Sequence, residues 1–364
     1  MDNVIAGVSD VVLPFDWTYT ALRKLALINF EKDPDAYYVA LEPQWLAQSH
    51  GETGHRIVAY RTDGFVDVYD DPKVDACDEA SFAVTGKGLC ERVVTEIRDM
   101  SMTQTETGLA LSFAFMDKYG RQVKAKVTER TKRSTTGIDL LAPVGSSSEH
   151  PRYLPVFFLY GFDFVRKRGT DVEIRIGEKD MRLDPFPAPV PKDAQWRYYM
   201  RYSNDCQIIE LLKAKAGDLR FRRPTHDGTV TEEKTLYRFN ENRELLSVEA
   251  VHEPHSFRMS FPEGFPDVLN LDDQTLYEGI FRIDAEQGLG TIGGRFTVKR
   301  TGSRVDITLI PDGWQPVTDS IFTKMMFQKS SLFCSWPSTY QYSQKIDLEE
   351  ESFDSSWERI GNSD

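Results

Sequence analysis

Residues 288–311 read GLGTIGGRFTVKRTGSRVDITLIP, in which Gly288, Gly290 and Gly293 spell G-x-G-x-x-G. That spacing cradles a dinucleotide phosphate only where a strand enters the glycine turn and a helix leaves it. Here Phe296 and Val298, then Val305, Ile307 and Leu309, alternate with polar residues around a Thr301-Gly302-Ser303 turn. Two strands follow the glycines, and no βαβ unit surrounds them. The segment is not a nucleotide site, and the sequence implies no cofactor. Two readings remain: a hairpin or bulge rich in positive-φ positions, or bare glycine backbone at a cavity wall that a ligand approaches.

The same period of two runs through most of the chain. RIVAYRTDGFVDVYDD (56–71) is two runs around Asp63-Gly64, and GLALSFAFMDKYGRQVKAKVTERT (108–131) turns at Asp117 to Gly120. Leu109, Leu111, Phe113 and Phe115 share one face, while Val123, Ala125 and Val127 alternate with Gln122, Lys124 and Lys126. TDVEIRIGEKDMRL (170–183) and TLYRFNENRELLSVEAVHE (235–253) repeat the pattern. The expected fold class is therefore all-β: two β-meander domains, lipocalin-like barrel or sandwich, with few short helices. Helical spacing is expected only at 18–30 and at 207–217, where Gly217 would cap the end; a strand over 206–212 competes with the second.

LDPFPAPVPKD (183–193) places Pro185, Pro187, Pro189 and Pro191 in alternation, which removes ladder donors and imposes extended geometry. It marks the expected junction between a domain over 1–184 and a barrel-like domain over 194–346, with 185–193 as linker. Residues 347–364, rich in acids, read as a tail that frays in water. The net charge of −13 argues against a polyanionic partner such as nucleic acid. The longest apolar run, LPVFFLYGF (154–162), is too short to span a bilayer, so no membrane insertion is expected. Scattered Cys77, Cys90, Cys206 and Cys334, with no signal peptide, indicate a cytoplasmic chain.

Candidate chemistry gathers on aromatic strands. In LPVFFLYGFDFVRKRG (154–169) apolar residues occupy both faces, so Asp163 stands among hydrocarbon, where burial favours its protonated form. That makes Asp163 a general-acid candidate; the competing reading is a structural acid paired with Arg166 or Arg168. WRYYMRYSND (196–205) aligns Trp196, Tyr198, Met200 and Tyr202 on one face, as an apolar-ligand wall or as core. Near the C-terminus Trp314, Trp336, Tyr340 and Tyr342 offer indole and phenol donors beside apolar rings, with Tyr340 the second catalytic candidate. His252 and His255 flank Glu253-Pro254 in neither a helix nor one strand face, so no metal site is expected. No G-x-S-x-G elbow or catalytic cysteine signature occurs.

The layout of two β-meander halves around a proline-rich joint, with LYEGIFRIDAEQGLGTIGGRFTVKR (276–300) and the Gly313-Trp314 and Trp336-Pro337 segments near its end, resembles the two-domain lipocalin-related proteins of the carotenoid 1,2-hydratase type. Fungal decalin-forming cyclases share that architecture. The resemblance implies a cavity for a large apolar small molecule, in a barrel or between domains, and hydration, cyclisation or isomerisation without redox cofactor or metal. It carries over no catalytic residue. Two further readings stand beside this enzyme: a non-catalytic carrier of the same ligand class, and a carbohydrate-active β-sandwich, which the lack of a secretion signal disfavours. Ionisable groups reaching the cavity would favour an enzyme over a carrier.

Overall fold

The computed structural model describes residues 10–75, 83–84, 87–131, 137–143, 151–186, 196–252, 255–285, 289–315, 317 and 340–361. Among them the protein is all-β. The first strands are β1 (Val11–Val12), β2 (Trp17–Tyr19), β3 (Leu22–Asn29), β4 (Tyr38–Ala47), β5 (Thr53–Arg61), β6 (Val66–Asp70), β7 (Ala83–Val84), β8 (Lys87–Val94) and β9 (Arg98–Thr105). There follow β10 (Gly108–Met116), β11 (Gln122–Glu129), β12 (Ile138–Pro143), β13 (Leu154–Arg166), β14 (Thr170–Ile176), β15 (Lys179–Asp180), β16 (Arg197–Ser203), β17 (Asp205–Leu211), β18 (Ala216–Asp218) and β19 (Phe221–Arg222). The last are β20 (Thr229–Glu232), β21 (Thr235–Phe239), β22 (Leu245–His252), β23 (His255–Phe265), β24 (Leu276–Asp284), β25 (Thr291–Thr301), β26 (Arg304–Gln315), β27 (Tyr340–Asp347) and β28 (Ser352–Arg359).

The chain divides into two compact units that interleave in sequence. One comprises Met1–Thr18, Leu141–Val156 and Ile209–Asp364; the other comprises Tyr19–Leu140 and Phe157–Ile208. The proline-rich segment therefore does not mark the division. β16, beyond the prolines, pairs with β13 and β3, and Pro185 itself bridges Tyr198, so the segment connects strands of one unit. Both proposed helices are strands. LRKLALIN is apolar toward both faces of its sheet, which hides the period of two, and 205–211 is β17, the competing reading. The acidic tail is also corrected, since β28 pairs along its whole length with β27. Its Phe353, Ser355 and Trp357 share one face, and the Asp347 carboxylate accepts the N–H groups of Glu349 and Glu350 in the preceding turn.

The unit holding Tyr19–Leu140 is a two-sheet sandwich. A five-stranded sheet, β15-β14-β11-β10-β9, packs on one face of a large sheet that includes β13-β16-β3-β4-β5-β6-β8 in that order. Phe113, Phe115, Val123, Val127 and Ile174 of the first meet Ile28, Leu41, Ile57, Tyr69, Met200 and Tyr202 of the second in one core. The β10–β11 turn is fastened by charge. Fully buried Asp67 accepts bonds from Lys118 Nζ at 2.8 Å and Arg61 Nη1 at 3.0 Å, while Arg121 bridges Asp117 and Asp35. The Tyr38 hydroxyl lies 2.6 Å from that of Tyr69 and donates to Asp67.

The other unit is built on a ten-stranded antiparallel meander, β20 through β28 with β18 beyond β28. The sheet curls into a half-barrel whose two edges are bridged by residues 219–222. Leu219 N–H donates to the Glu351 carbonyl on one side, and Arg220 Nη1 reaches Glu232 of β20 at 2.9 Å on the other. Within GLGTIGG, residues 291–294 open β25 and pair with 284–281 of β24. The close approach that its glycines permit is made by phenylalanines. Phe281 pairs with Gly294 and Gly279 with Phe296, and a Cβ on Gly294 would stand 2.2 Å from the Phe281 ring.

The Asp67 cluster yields a stability test. Removing one partner of a buried ion cluster costs roughly 3–5 kcal/mol because the others stay buried without counter-charge. Asp67→Ala is expected to lower the urea midpoint accordingly, whereas Asp63→Ala, at an exposed carboxylate on the same Arg61, is expected to change it by less than about 1 kcal/mol.

Candidate functional site

The segment YVALEPQWLA of β4 sends Leu41 and Trp45 into the sandwich core. Strand alternation therefore turns Glu42 and Gln44 to the opposite face of the large sheet. Register extends this into rows across the strands. Phe164 of β13 pairs with Arg201 of β16, Arg201 with Leu27 of β3, and Glu42 with Val58 of β5. Leu27 and Glu42 fall opposite each other, bracketed by the Ile28–Leu41 and Leu25–Gln44 pairs. The next row runs Ser203, Leu25, Gln44, Arg56 and Asp70.

Glu42 is 4% exposed, yet no cation lies within ion-pair distance among the described residues. Gln44 Nε2 donates to its Oε1 at 2.7 Å and the Tyr60 hydroxyl to its Oε2 at 2.9 Å. Burial pushes its pKa above the usual carboxylate range, against weaker opposing pulls from Gln44, Tyr60 and the Arg201 charge. The neighbouring acid is treated differently: Asp70 accepts Arg56 Nε at 2.6 Å and Arg92 Nε at 2.6 Å. Tyr60 beside Glu42, and Arg201, Tyr199 and Phe164 farther across the sheet on β16 and β13, are only half-buried. Phe164 stacks edge-on against Phe162 at 5.1 Å and Phe186 at 4.7 Å. The arrangement is a recessed carboxyl, held by neutral donors, beside apolar and aromatic side chains.

The Asp67 cluster is the other concentration of perturbed groups. Burial, reinforced by its bond to Tyr69, raises the Tyr38 phenol, and burial pushes Tyr69 up to about 12. Hydrogen bonds to Asp67 and Glu91 hold the Lys118 ammonium above its ordinary value despite burial. These groups saturate one another, and each ties the 117–121 turn to the large sheet.

The residues singled out from sequence do not converge. Asp163 pairs with Arg197, Nη1 to Oδ1 at 3.5 Å, and accepts the Phe164 N–H; Arg166 is held instead by Glu129. Tyr202 is core and Tyr198 packs partly buried against that core. Trp196, placed on the same face, is 81% exposed, because β16 begins only at Arg197. Tyr340 and Tyr342 are buried on β27, where the Tyr342 ring meets Trp357 at 5.4 Å and burial raises its phenol pKa. Trp314 stands in β26 opposite Ile292, and Trp336 lies outside the described residues.

Among the described residues of the half-barrel, the N-terminal stretch packs against aromatic side chains of the sheet. Fully buried Phe15 stacks on Phe261 at 5.5 Å and meets Phe265 edge-on at 4.9 Å. Its carbonyl accepts Arg220 Nη2 at 3.0 Å and the Tyr237 hydroxyl at 3.2 Å. Beside it lies a shallow cleft lined by Val11, Val12, Pro14, Phe239, Leu245 and Phe265. No group of three or more metal-ligating side chains occurs among the described residues, nor any helix long and apolar enough to cross a membrane.

Glu42 was not found from sequence. Its signal is an acid and an amide two residues apart on a strand otherwise apolar toward both faces. Comparison of the chain with family models, curated proteins and solved structures gave no match.

The carboxyl makes a pH prediction with a definite sign. Below the usual carboxylate range Glu42 is protonated in both folded and unfolded chains and its burial carries no charge cost. As pH rises the unfolded chain ionises first, so stability falls until the folded carboxyl also ionises. Glu42→Gln is expected to match the native protein in thermal melts near pH 3 and to exceed it near pH 8, by on the order of 1 kcal/mol. A difference that does not grow with pH would remove the buried-acid reading.

Proposed function

We propose that the protein binds a large apolar small molecule against the Glu42 face of the large sheet and catalyses a cofactor-independent isomerisation, cyclisation or hydration by proton transfer. The observation that carries this reading is the Glu42 carboxyl, buried without a cationic partner and biased toward its protonated form. Such a group donates a proton at neutral pH, and its conjugate base is then received by Gln44 and Tyr60, whose bonds strengthen to the carboxylate. Leu25, Leu27, Val58 and Phe164 supply the apolar surroundings that an unsaturated hydrocarbon substrate requires and that keep water from quenching a cationic intermediate.

The test begins with native mass spectrometry of the purified full chain for a co-purifying lipophile, followed by turnover assays on that compound. Glu42→Gln is expected to lower kcat by about 10²–10⁴, the usual contribution of a general acid, with KM little changed. Tyr60→Phe is expected to lower it less. Binding without conversion, indifferent to Glu42→Gln, would make the protein a carrier. Failure to bind any lipophile or Nile red would remove the reading.

A further inference from the structure

Arginines stand on the Glu42 face of a chain whose net charge is −13, among them Arg56, Arg92 and Arg201. Arg56 and Arg92 both bond the Asp70 carboxylate. Arg201 has none within ion-pair distance among the described residues. Its Nη1 donates to the Tyr199 hydroxyl at 3.3 Å, and its guanidinium lies 5.6 Å from the Tyr199 ring. A guanidinium has five N–H donors, so most of those on this half-buried group face neither carboxylate nor phenol. Its nearest acid in the row is Glu42, two strands away, whose burial favours the neutral form and so withholds a counter-charge.

A half-buried guanidinium without a carboxylate recognises planar anionic oxygens, which engage its fork in two parallel bonds. The row also fixes what lies beside that fork. Arg201 sits between Phe164 on β13 and Leu27 on β3, with Phe162 packed edge-on behind Phe164. Charge and apolar surface are thus adjacent on neighbouring strands, about 5 Å apart at the usual interstrand spacing.

We infer that the ligand of this face is an acidic amphiphile, whose carboxylate-class head seats on Arg201 and whose apolar body lies over the half-buried Phe164. The inference rests on the apolar-ligand reading above and names the substrate class that reading leaves open.

The test uses the full chain and two probes of equal apolar body, cis-parinaric acid and its methyl ester, followed by their fluorescence on binding. The native protein is expected to bind the acid at least tenfold more tightly than the ester. Arg201→Gln is expected to bring the acid down to the ester's affinity and leave the ester unchanged; Arg201→Lys, which keeps the charge but loses the fork, is expected to retain part of the preference. Both variants are checked by thermal melts, and Arg201→Lys decides alone if Arg201→Gln does not fold, full preference in it counting against the assignment. Equal binding of acid and ester by the native protein would overturn the acidic head while leaving the apolar-ligand reading intact. An acid preference that survives both substitutions would overturn the role of Arg201. Binding of neither probe would overturn the inference together with the reading beneath it.

Discussion

A strand shows its side chains to two faces in strict alternation, and the central strands of the large sheet have both faces largely removed from water. One face is filled by the five-stranded sheet. On the other, β4 is buried almost throughout its length, so each polar group there must find its partner on the same sheet. Two solutions stand side by side. Asp70 is neutralised by two arginines from β5 and β8, and Glu42 is held by an amide and a phenol. The first fixes strand positions by charge; the second leaves a proton poised.

The half-barrel meets the same demand differently. A curled meander of ten strands encloses a volume that its own side chains must fill or leave to a ligand. Here the filling comes from the chain's N-terminal stretch. Phe15 enters the aromatic group of Phe261, Phe265 and Phe296, and its backbone carbonyl is capped by Arg220, which also holds Glu232 on one edge of the sheet. A single guanidinium thus ties the plug to that edge.

What was legible in the sequence follows from which residues have a wet face. The hairpins at 56–71, 108–131, 170–183 and 235–253 alternate cleanly, and each is present with its turn where the Asp-Gly, Gly or Asn signals stand. GLGTIGG was legible as a hairpin because its flanks alternate too. Where both faces are covered, as in LRKLALIN, alternation vanishes from the text and apolar spacing imitates a helix. The acidic tail misled for the opposite reason: its charges sit in the turn at Glu349, Glu350 and Glu351 and on the outward face of β28 at Asp354 and Glu358, and Phe353 and Trp357 are too widely spaced to register as an apolar run. Asp163 and Glu42 lie on similarly apolar strands, and only the neighbouring strands distinguish them. β16 brings Arg197 to the first, whereas among the described residues no cation lies within ion-pair distance of the second.

That contrast bears on why Arg201 and Glu42 remain apart. An arginine and a glutamate in one row, separated by a single leucine, are close enough for their flexible side chains to converge. A pair so formed would resemble the Asp70 cluster and would hold the carboxylate ionised. Instead Arg201 turns to Tyr199 and Glu42 to Gln44 and Tyr60. Two intervening effects keep them separate: Leu27 stands between, and the neutral donors already satisfy both oxygens of the carboxyl. The face thereby keeps an acid whose burial favours the protonated form and, in the same row, a guanidinium bonded to a phenol.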